Sequence, residues 1–268
     1  MDETIAALLD TVDELTGLDF RDYSPASLHR RIQRRVAAEQ VASVVALGHL
    51  IKANPDALAR LAEALTVPVT SMFRDPAFFR EFRARVAPLL RTHPFLRLWV
   101  AGCSTGQEVY SLAILLHEEG LYERSRIYAT ELQPATLDQA ASGIYPLAAM
   151  QEYTRNYQEA GGTQDFSDYY TADASAAIVR PHLRRNVVFA VHNLVSDRSF
   201  NEFHLIFCRN VMIYFNRTLQ QRVHSLLYES LALWGYLGLG RSESVRFSPQ
   251  EHCYEPVSER ERLYRKVL

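Results

Sequence analysis

The sequence predicts an α/β fold, in which a doubly wound, mainly parallel sheet follows an all-helical N-terminal domain and carries a small inserted subdomain. Residues 1 to about 66 show apolar side chains at helical spacing and no strand pattern. From Leu96 onward, short apolar runs alternate with helical patterns, which favours parallel strands covered by helices on both faces. Residues 145 to about 185 interrupt this repetition with many tyrosines and a central Gly161-Gly162. A connection this long predicts an inserted helix, lid or small subdomain.

Four helices account for the N-terminal region. The first helix, which ends at Gly17, carries one apolar stripe made of Ile5, Leu8, Leu9, Val12 and Leu15. The second helix carries Leu28, Ile32 and Val36 on one side, and residues 44–52 and 55–65 predict the third and fourth. We therefore expect a helical domain at 1–75, a linker helix at 76–95 and the α/β domain at 96–268, with the insertion at about 145–185.

The α/β part is defined by five apolar runs and three amphipathic segments. The predicted strands are residues 96–101, 126–131, 186–192, 203–208 and 235–240. The predicted helices are residues 108–118, 134–141 and 219–234. In an open sheet of this kind, ligands bind beyond the carboxyl ends of the strands.

Composition and charge exclude several classes of protein. The formal net charge of −2 argues against a chain that binds nucleic acid over its whole surface. The acidic start at residues 1–4, with no long apolar run after it, argues against a signal peptide and against insertion into a membrane. Cys103, Cys208 and Cys253 are too widely spaced for a metal-ligand pair or a disulfide framework, so we expect free thiols, no metal and a cytoplasmic location.

The turn from Gly102 to Gly106 joins the first strand to the first helix of the α/β part. Its small residues let a ligand approach the backbone, and the amides at a helix start attract negative charge. Glu131 ends the second strand about 25 residues later, where an acid accepts hydrogen bonds from ribose hydroxyls in nucleotide-binding α/β domains. The Gly-x-Gly-x-x-Gly pattern is not matched, and no Gly-Lys-Ser/Thr occurs, which excludes a P-loop.

Candidate ligand-binding residues also follow the third and fourth strands. Asn193 and Leu194 come after the third strand, and Arg209 and Asn210 come after the fourth. Two polar strand ends beside a glycine turn predict a lined pocket. Two interpretations of Tyr214, a few residues further on, stay open: it lines this pocket, or it is a core residue.

The sequence resembles the CheR family of bacterial chemotaxis receptor methyltransferases over nearly its whole length. The blocks that carry the resemblance are residues 70–75 (TSMFRD), 103–113 (CSTGQEVYSLA), 140–145 (AASGIY) and 208–215 (CRNVMIYF). The resemblance implies a helical domain joined to a methyltransferase domain that binds S-adenosylmethionine, releases S-adenosylhomocysteine and contains a small inserted β-subdomain.

The resemblance also implies roles for individual positions. Thr70 and Arg74 match contacts to the methionine end of the cofactor and the reaction centre, and Tyr214 matches a tyrosine near the departing methyl group. Further cofactor contacts are implied for Glu108, Glu131, Asn193, Leu194, Arg209 and Asn210. Pro68 stands where the family often has an asparagine that touches the cofactor, and proline brings no amide donor.

Four arginines lie at i, i+4 spacing on the second helix, namely Arg30, Arg31, Arg34 and Arg35. A solvated face and a nucleic-acid contact are two alternatives for such a run, although no aromatic residues are interleaved with it. A glutamate-rich helical partner would also be attracted to it. The resemblance implies that this helix faces the receptor, so we assign the four arginines to substrate binding.

We therefore expect an S-adenosylmethionine-dependent protein-glutamate O-methyltransferase that acts on chemoreceptor cytoplasmic domains and does not require an oligomer. A glutamate carboxylate has an unperturbed pKa of about 4.3 and is already a nucleophile at neutral pH, so no general base is needed. A nucleic-acid methyltransferase is an alternative, but the Asp/Asn-Pro-Pro-Tyr/Phe segment of its amine-methylating members is replaced by Cys208-Arg209-Asn210-Val211. A non-catalytic module that senses the cofactor or scaffolds partners is the other alternative.

Overall fold

The helical unit consists of α1 (Glu3–Thr16), α2 (Pro25–Ala38), α3 (Val44–Ala53) and α4 (Pro55–Thr66). The structure, a computed structural model, describes residues 2–66 and 70–268, so Pro68 lies outside the described residues. Asp2 caps α1 by accepting the N–H of Thr4 at 2.9 Å, and Gly17 ends it with a left-handed φ of 71°. The apolar stripe of α1 is buried as far as Val12, whereas Leu15 in the last turn is 49% exposed.

A short segment from the other end of the sequence belongs to the same unit. Residues 214–220 group with residues 2–66, whereas residues 70–213 and 221–268 form the second unit. Tyr23 forms an antiparallel bridge with Phe215, and the Ser24 N–H donates to the carbonyl of Tyr214 at 2.7 Å. The helical unit is therefore not continuous in sequence, a feature that helical periodicity alone does not indicate.

The second unit contains the remaining elements. In chain order these are α5 (Pro76–Arg85), α6 (Ala87–Leu90), β1 (Leu96–Ala101), α7 (Gln107–Glu118), β2 (Ser125–Glu131), α8 (Pro134–Ser142), β3 (Ile144–Pro146), α9 (Met150–Glu159), β4 (Tyr170–Ala172), β5 (Ala176–Val179), β6 (Val187–Val191), β7 (Phe203–Cys208), α10 (Arg217–Ser230), β8 (Leu231–Leu239), β9 (Tyr254–Ser258) and β10 (Leu263–Lys266). The first residues of α10 belong to the helical unit.

Among the described residues, the main sheet has seven strands in the order β6-β2-β1-β7-β8-β10-β9. The five from β6 to β8 are parallel, and β10 and β9 add to them in antiparallel fashion. Leu98 on the central β1 pairs with Ile127 on one side and Leu205 on the other, and all three are fully buried. The predicted α/β class with a mainly parallel sheet is confirmed.

The segment predicted as a linker helix forms α5 and α6, which are integral to the second unit. Phe78, Phe79 and Phe82 are buried in its hydrophobic core. The rings of Phe78 and Phe82 lie 5.0 Å and 5.4 Å from that of Phe207 on β7. Burial of three aromatic rings ties these helices to the sheet.

Two element boundaries near the C-terminus differ from the prediction. The helix predicted to reach Trp234 ends at Ser230, because Leu231 pairs with Phe203 and starts β8. The register then shifts, with left-handed backbone at Trp234 (φ 66°), before Tyr236 pairs with Leu205. β9 and β10 are missing from the prediction. In β9, Pro256 is atypical of a strand except at a sheet edge, which is where β9 lies.

The insertion is a small β-subdomain. In the part of the chain that the structure describes, β3, β5 and β4 form a three-stranded antiparallel sheet, accompanied by α9. Tyr145 pairs with Ala177 across β3 and β5, and both side chains are buried. This agrees with the subdomain implied by the family resemblance. Within the described ranges, no helix combines the length and the apolar character needed to cross a bilayer.

Candidate functional site

The glycine loop, residues 102–106, forms the turn between β1 and α7. Its backbone is left-handed at Gly102 (φ 69°), Ser104 (φ 50°) and Gly106 (φ 91°). A side chain on Gly102 would place its Cβ 2.6 Å from a methyl carbon of Val211 in the segment after β7, so only glycine fits there. The loop is fastened to β2 by the Cys103 N–H, which donates to the carbonyl of Thr130 at 2.9 Å.

The Glu131 carboxylate lies at the end of β2 and holds this loop. Its Oε2 accepts the N–H of Ser104 at 3.0 Å. Its Oε1 accepts the N–H groups of Leu132 at 2.7 Å and Gln133 at 3.4 Å. Burial raises the pKa of Glu131, and the three backbone N–H groups oppose that rise. The predicted ribose-binding acid is therefore fixed beside the glycine loop.

Two buried polar atoms flank this carboxylate without a protein partner. Neither Ser104 Oγ nor Gln133 Nε2 has a hydrogen-bond partner among the residues that the structure describes. An ionised carboxylate offers about four lone-pair sites, and three backbone N–H groups use part of them. A ligand that carries hydroxyl groups and ring nitrogens, such as a nucleoside, would satisfy all three side chains. The residues present therefore fit S-adenosylmethionine, and sequence reasoning missed Ser104 and Gln133.

Arg209, at the end of β7, is the centre of a buried polar cluster. Its side chain is 1% exposed and donates to Glu108 Oε2 at 2.6 Å and to Asp75 Oδ2 at 2.9 Å. A further N–H donates to the carbonyl of Arg74 at 3.1 Å, and the guanidinium carbon lies 4.1 Å from the ring centre of Phe78. Arg209 and Glu108, both predicted from the sequence as cofactor contacts, pair with each other. Burial raises the pKa of Glu108, and the positive charge of Arg209 opposes this.

Arg74 lies in a strained part of the backbone. The residues on either side, Phe73 (φ 51°) and Asp75 (φ 57°), are both left-handed, which is uncommon for residues other than glycine. The N–H of Phe73 donates to Ser111 Oγ on α7 at 2.8 Å, and its side chain is fully buried. Strain of this kind persists only where the surroundings hold it and clusters at functional sites. Thr70, at the start of this segment, is half-buried.

Glu243, after β8, fastens the segment that follows β7. Its carboxylate accepts four backbone N–H groups, from Gly240 at 2.6 Å, Asn210 at 2.8 Å, Met212 at 2.8 Å and Ile213 at 3.3 Å. Asn210, a predicted cofactor contact, thus has its backbone fixed in a left-handed conformation with a φ of 60°. Sequence reasoning did not assign Glu243 a role, although an acid close after an apolar strand is a signal for one.

Asn193 and Leu194, the predicted cofactor contacts after β6, lie in a turn. Asn193 Oδ1 accepts the N–H of Val195 at 2.9 Å, and the N–H of Asn193 donates to Asp197 Oδ2 at 2.8 Å. Leu194 is 8% exposed. The amide oxygen of Asn193 therefore supports the local turn, and the Leu194 side chain that follows it is buried.

In the helical unit, the arginines of α2 are not equivalent. Arg31 is 6% exposed and donates to the carbonyl of Leu65, and its guanidinium lies 4.5 Å from the ring centre of Tyr214. Arg31, which the sequence analysis assigned to substrate binding with the other three, is therefore not on an exposed face, because it packs inside this unit. Arg35 is half-buried and pairs with Glu39 at 3.1 Å, which leaves Arg30 and Arg34 exposed.

Two methyltransferase family models match this chain, and several similar proteins are named as methyltransferases. Residues 68–261 match the family model described as CheR methyltransferase, SAM binding domain, and residues 3–66 match that of the CheR all-alpha domain. A Pseudomonas putida protein named "Putative methyltransferase Cher3" is 47% identical over 99% of this chain and 97% of its own length. Chemotaxis protein methyltransferase 1 of Pseudomonas aeruginosa is 31% identical over 72% of each chain. The chemotaxis protein methyltransferase of Listeria monocytogenes is 29% identical over 85% of each chain.

Proposed function

We propose, since this chain belongs to the CheR methyltransferase family, that it transfers methyl groups from S-adenosylmethionine to glutamate side chains in the cytoplasmic helical regions of chemoreceptors. The observation that carries this proposal is the Arg209 cluster, which links Glu108 at the start of α7 to the backbone of Arg74. The backbone that carries the positively charged Arg74 side chain is thereby fixed to α7, the helix that follows the glycine loop. Two relatives are named chemotaxis protein methyltransferases, which supports the choice of substrate.

S-adenosylmethionine supplies an electrophilic methyl group when it is bound. The protein has to bind it, orient the incoming carboxylate and exclude water, and positioning of this kind contributes on the order of 7–11 kcal/mol. Glu131 would bind the ribose hydroxyls, with Ser104 and Gln133 beside it. No residue has to remove a proton, because a glutamate with a pKa of about 4.3 is ionised at neutral pH.

Arg74 is assigned to orienting the substrate carboxylate. A guanidinium forms charge-assisted hydrogen bonds with carboxylates and presents a planar fork that matches their geometry. Its backbone is held by Arg209, which donates to the carbonyl of Arg74, and by Ser111, which accepts the N–H of Phe73, so the side chain starts from a fixed point. Tyr214 is assigned to the reaction centre by the family resemblance, and its ring packs on Arg31 within the helical unit.

The exposed arginines of α2 are assigned to the receptor. Arg30 and Arg34 are one helical turn apart and exposed, and none of the described residues forms an ion pair with either. Like charges on one exposed face attract an acidic partner and steer its approach. A receptor helix rich in glutamate has the required charge.

Methyl transfer from labelled S-adenosylmethionine to candidate receptor cytoplasmic domains tests the proposal. Incorporated label that is lost in mild base, with glutamyl methyl ester identified by mass spectrometry, is the expected result. Arg74→Ala should abolish most of it, whereas Arg126→Ala, which removes an exposed arginine near the start of β2, should leave it unchanged. A protein that binds the cofactor but esterifies no receptor would refute the proposal and favour a sensor or scaffold.

A further inference from the structure

We propose that Asn156, on the inserted subdomain, is a positioning residue for methyl transfer, because it holds the backbone segment that carries Arg74. Its role in methyl transfer rests on the function proposed above, but its hydrogen bonds to the Arg74 segment do not depend on that function. Asn156 is half-buried in α9 and lies 82 positions beyond Arg74 in sequence. No pattern in the sequence connects the two.

The amide of Asn156 binds two groups of the Arg74 segment. Its Nδ2 donates to the carbonyl of Met72 at 3.0 Å and to Ser71 Oγ at 3.3 Å. The Ser71 hydroxyl in turn donates to Glu152 Oε1 at 2.6 Å. Glu152 and Asn156 are one helical turn apart, so α9 presents an acceptor and a donor side by side to residues 71 and 72.

This segment needs such support. Phe73 and Asp75 are left-handed, a conformation that costs free energy when a Cβ is present and has to be imposed by surrounding contacts. Side chains from three places impose it: Ser111 accepts the N–H of Phe73, Arg209 donates to the carbonyl of Arg74, and Asn156 donates to the carbonyl of Met72. Of these three, only Asn156 belongs to the insertion.

The insertion also holds the cofactor side of the site. The hydroxyl of Tyr145 on β3 donates to the carbonyl of Thr105 in the glycine loop at 2.9 Å. The hydroxyl of Tyr153 on α9 accepts Gln107 Nε2 at 3.4 Å. One subdomain thus contacts both the glycine loop and the Arg74 segment, which makes it a brace that sets their separation. Misplacement of a reacting group by about 1 Å can slow a reaction about 100-fold.

The test compares Asn156→Ala and Asn156→Asp with the matched control Gln158→Ala. Gln158 is exposed on the same helix, and Asp keeps the shape of Asn156 without its N–H donors. We expect kcat to fall about 10- to 100-fold in both Asn156 variants, with little change in KM or in the affinity for S-adenosylhomocysteine measured by calorimetry. Gln158→Ala should match the wild type.

Two further measurements separate positioning from a general structural role. In an Arg74→Ala background, Asn156→Ala should lower kcat by less than about 3-fold, since the two residues act through one group. Hydrogen exchange of a peptide covering residues 70–75 should be at least about 5-fold faster in Asn156→Ala than in the wild type and unchanged in Gln158→Ala. Additive effects on kcat, or unchanged exchange, would overturn the inference. If the wild type methylates no receptor, the proposed function fails, and the exchange measurement still decides whether Asn156 holds this segment.

Discussion

Among individual residues, Glu131 has an observed role in holding the glycine loop and a proposed role in binding the cofactor. It holds the glycine loop through the N–H of Ser104, and the proposal adds the ribose hydroxyls as ligands. Glu131→Ala should weaken S-adenosylmethionine binding by about 1.5–3 kcal/mol, the usual range for hydrogen bonds to a charged group. Glu131→Asp should lose less, because the charge is kept at a shorter reach. Calorimetry measures both, and Glu229→Ala, an exposed acid on α10, is the control. Unchanged affinity in Glu131→Ala would remove Glu131 from the cofactor site.

At the same scale, Arg74 carries the proposed chemistry. Arg74→Ala should lower kcat for receptor methylation roughly 100-fold or more, the loss seen when one positioned polar stabiliser is removed. Arg74→Lys should rescue little, because lysine keeps the charge without the planar fork. Cofactor affinity and the thermal unfolding temperature should change much less. Arg209 binds the backbone carbonyl of residue 74, and this carbonyl remains whichever side chain is present. A folded Arg74→Ala protein that methylates receptor at the wild-type rate would contradict the role.

Among the elements, α2 divides its arginines by environment. Reversal of Arg30 and Arg34 to glutamate should raise KM for the receptor and reduce its dependence on salt, because attraction between exposed charges is screened by ions. Cofactor affinity should not change. Arg31→Met should instead lower thermal stability, since Arg31 is buried against Tyr214. Steady-state kinetics at two ionic strengths check the reversal, with Arg126→Glu as a control for charge reversal at an exposed arginine on β2. Unaltered kinetics would make the exposed pair a merely solvated surface.

For the molecule as a whole, we expect His224 to make the free energy of unfolding depend on pH. It is 6% exposed on α10, and burial lowers its pKa to about 4, against a hydrogen bond to the backbone of Ser244 that raises it. Because the folded pKa lies below the unfolded value of about 6.5, the stability that His224 contributes is present above pH 6.5 and is lost as the pH falls towards 4.

Between pH 6.5 and pH 4, the free energy of unfolding should fall by up to about 3 kcal/mol because of His224. His224→Gln cannot ionise, so its thermal unfolding temperature should fall less than that of the wild type between pH 7 and pH 4. His252→Gln, an exposed control, should follow the wild type. Parallel curves for wild type and His224→Gln would show that His224 does not control this transition.

Much of the fold could be predicted from the sequence, because periodicity is a local property. The apolar runs of β1 and β7 coincide with the observed strands, and the glycine loop connects β1 to α7 where its small residues require it. The ends of β2 and β7 brought Glu131, Arg209 and Asn210 to attention, because parallel strands carry ligand sites at their carboxyl ends.

Only the tertiary structure decided which groups these side chains bind. Arg209 pairs with Glu108 and Asp75, which lie more than 100 positions away in sequence. Arg31 looked equivalent to Arg30 in sequence, yet it is buried, because its partner Tyr214 returns to the helical unit from far along the chain. A helical or strand pattern reports which face of an element is apolar, whereas hydrogen-bond partners are set by the spatial neighbours of a buried polar group. Those neighbours exist only once distant segments have packed together.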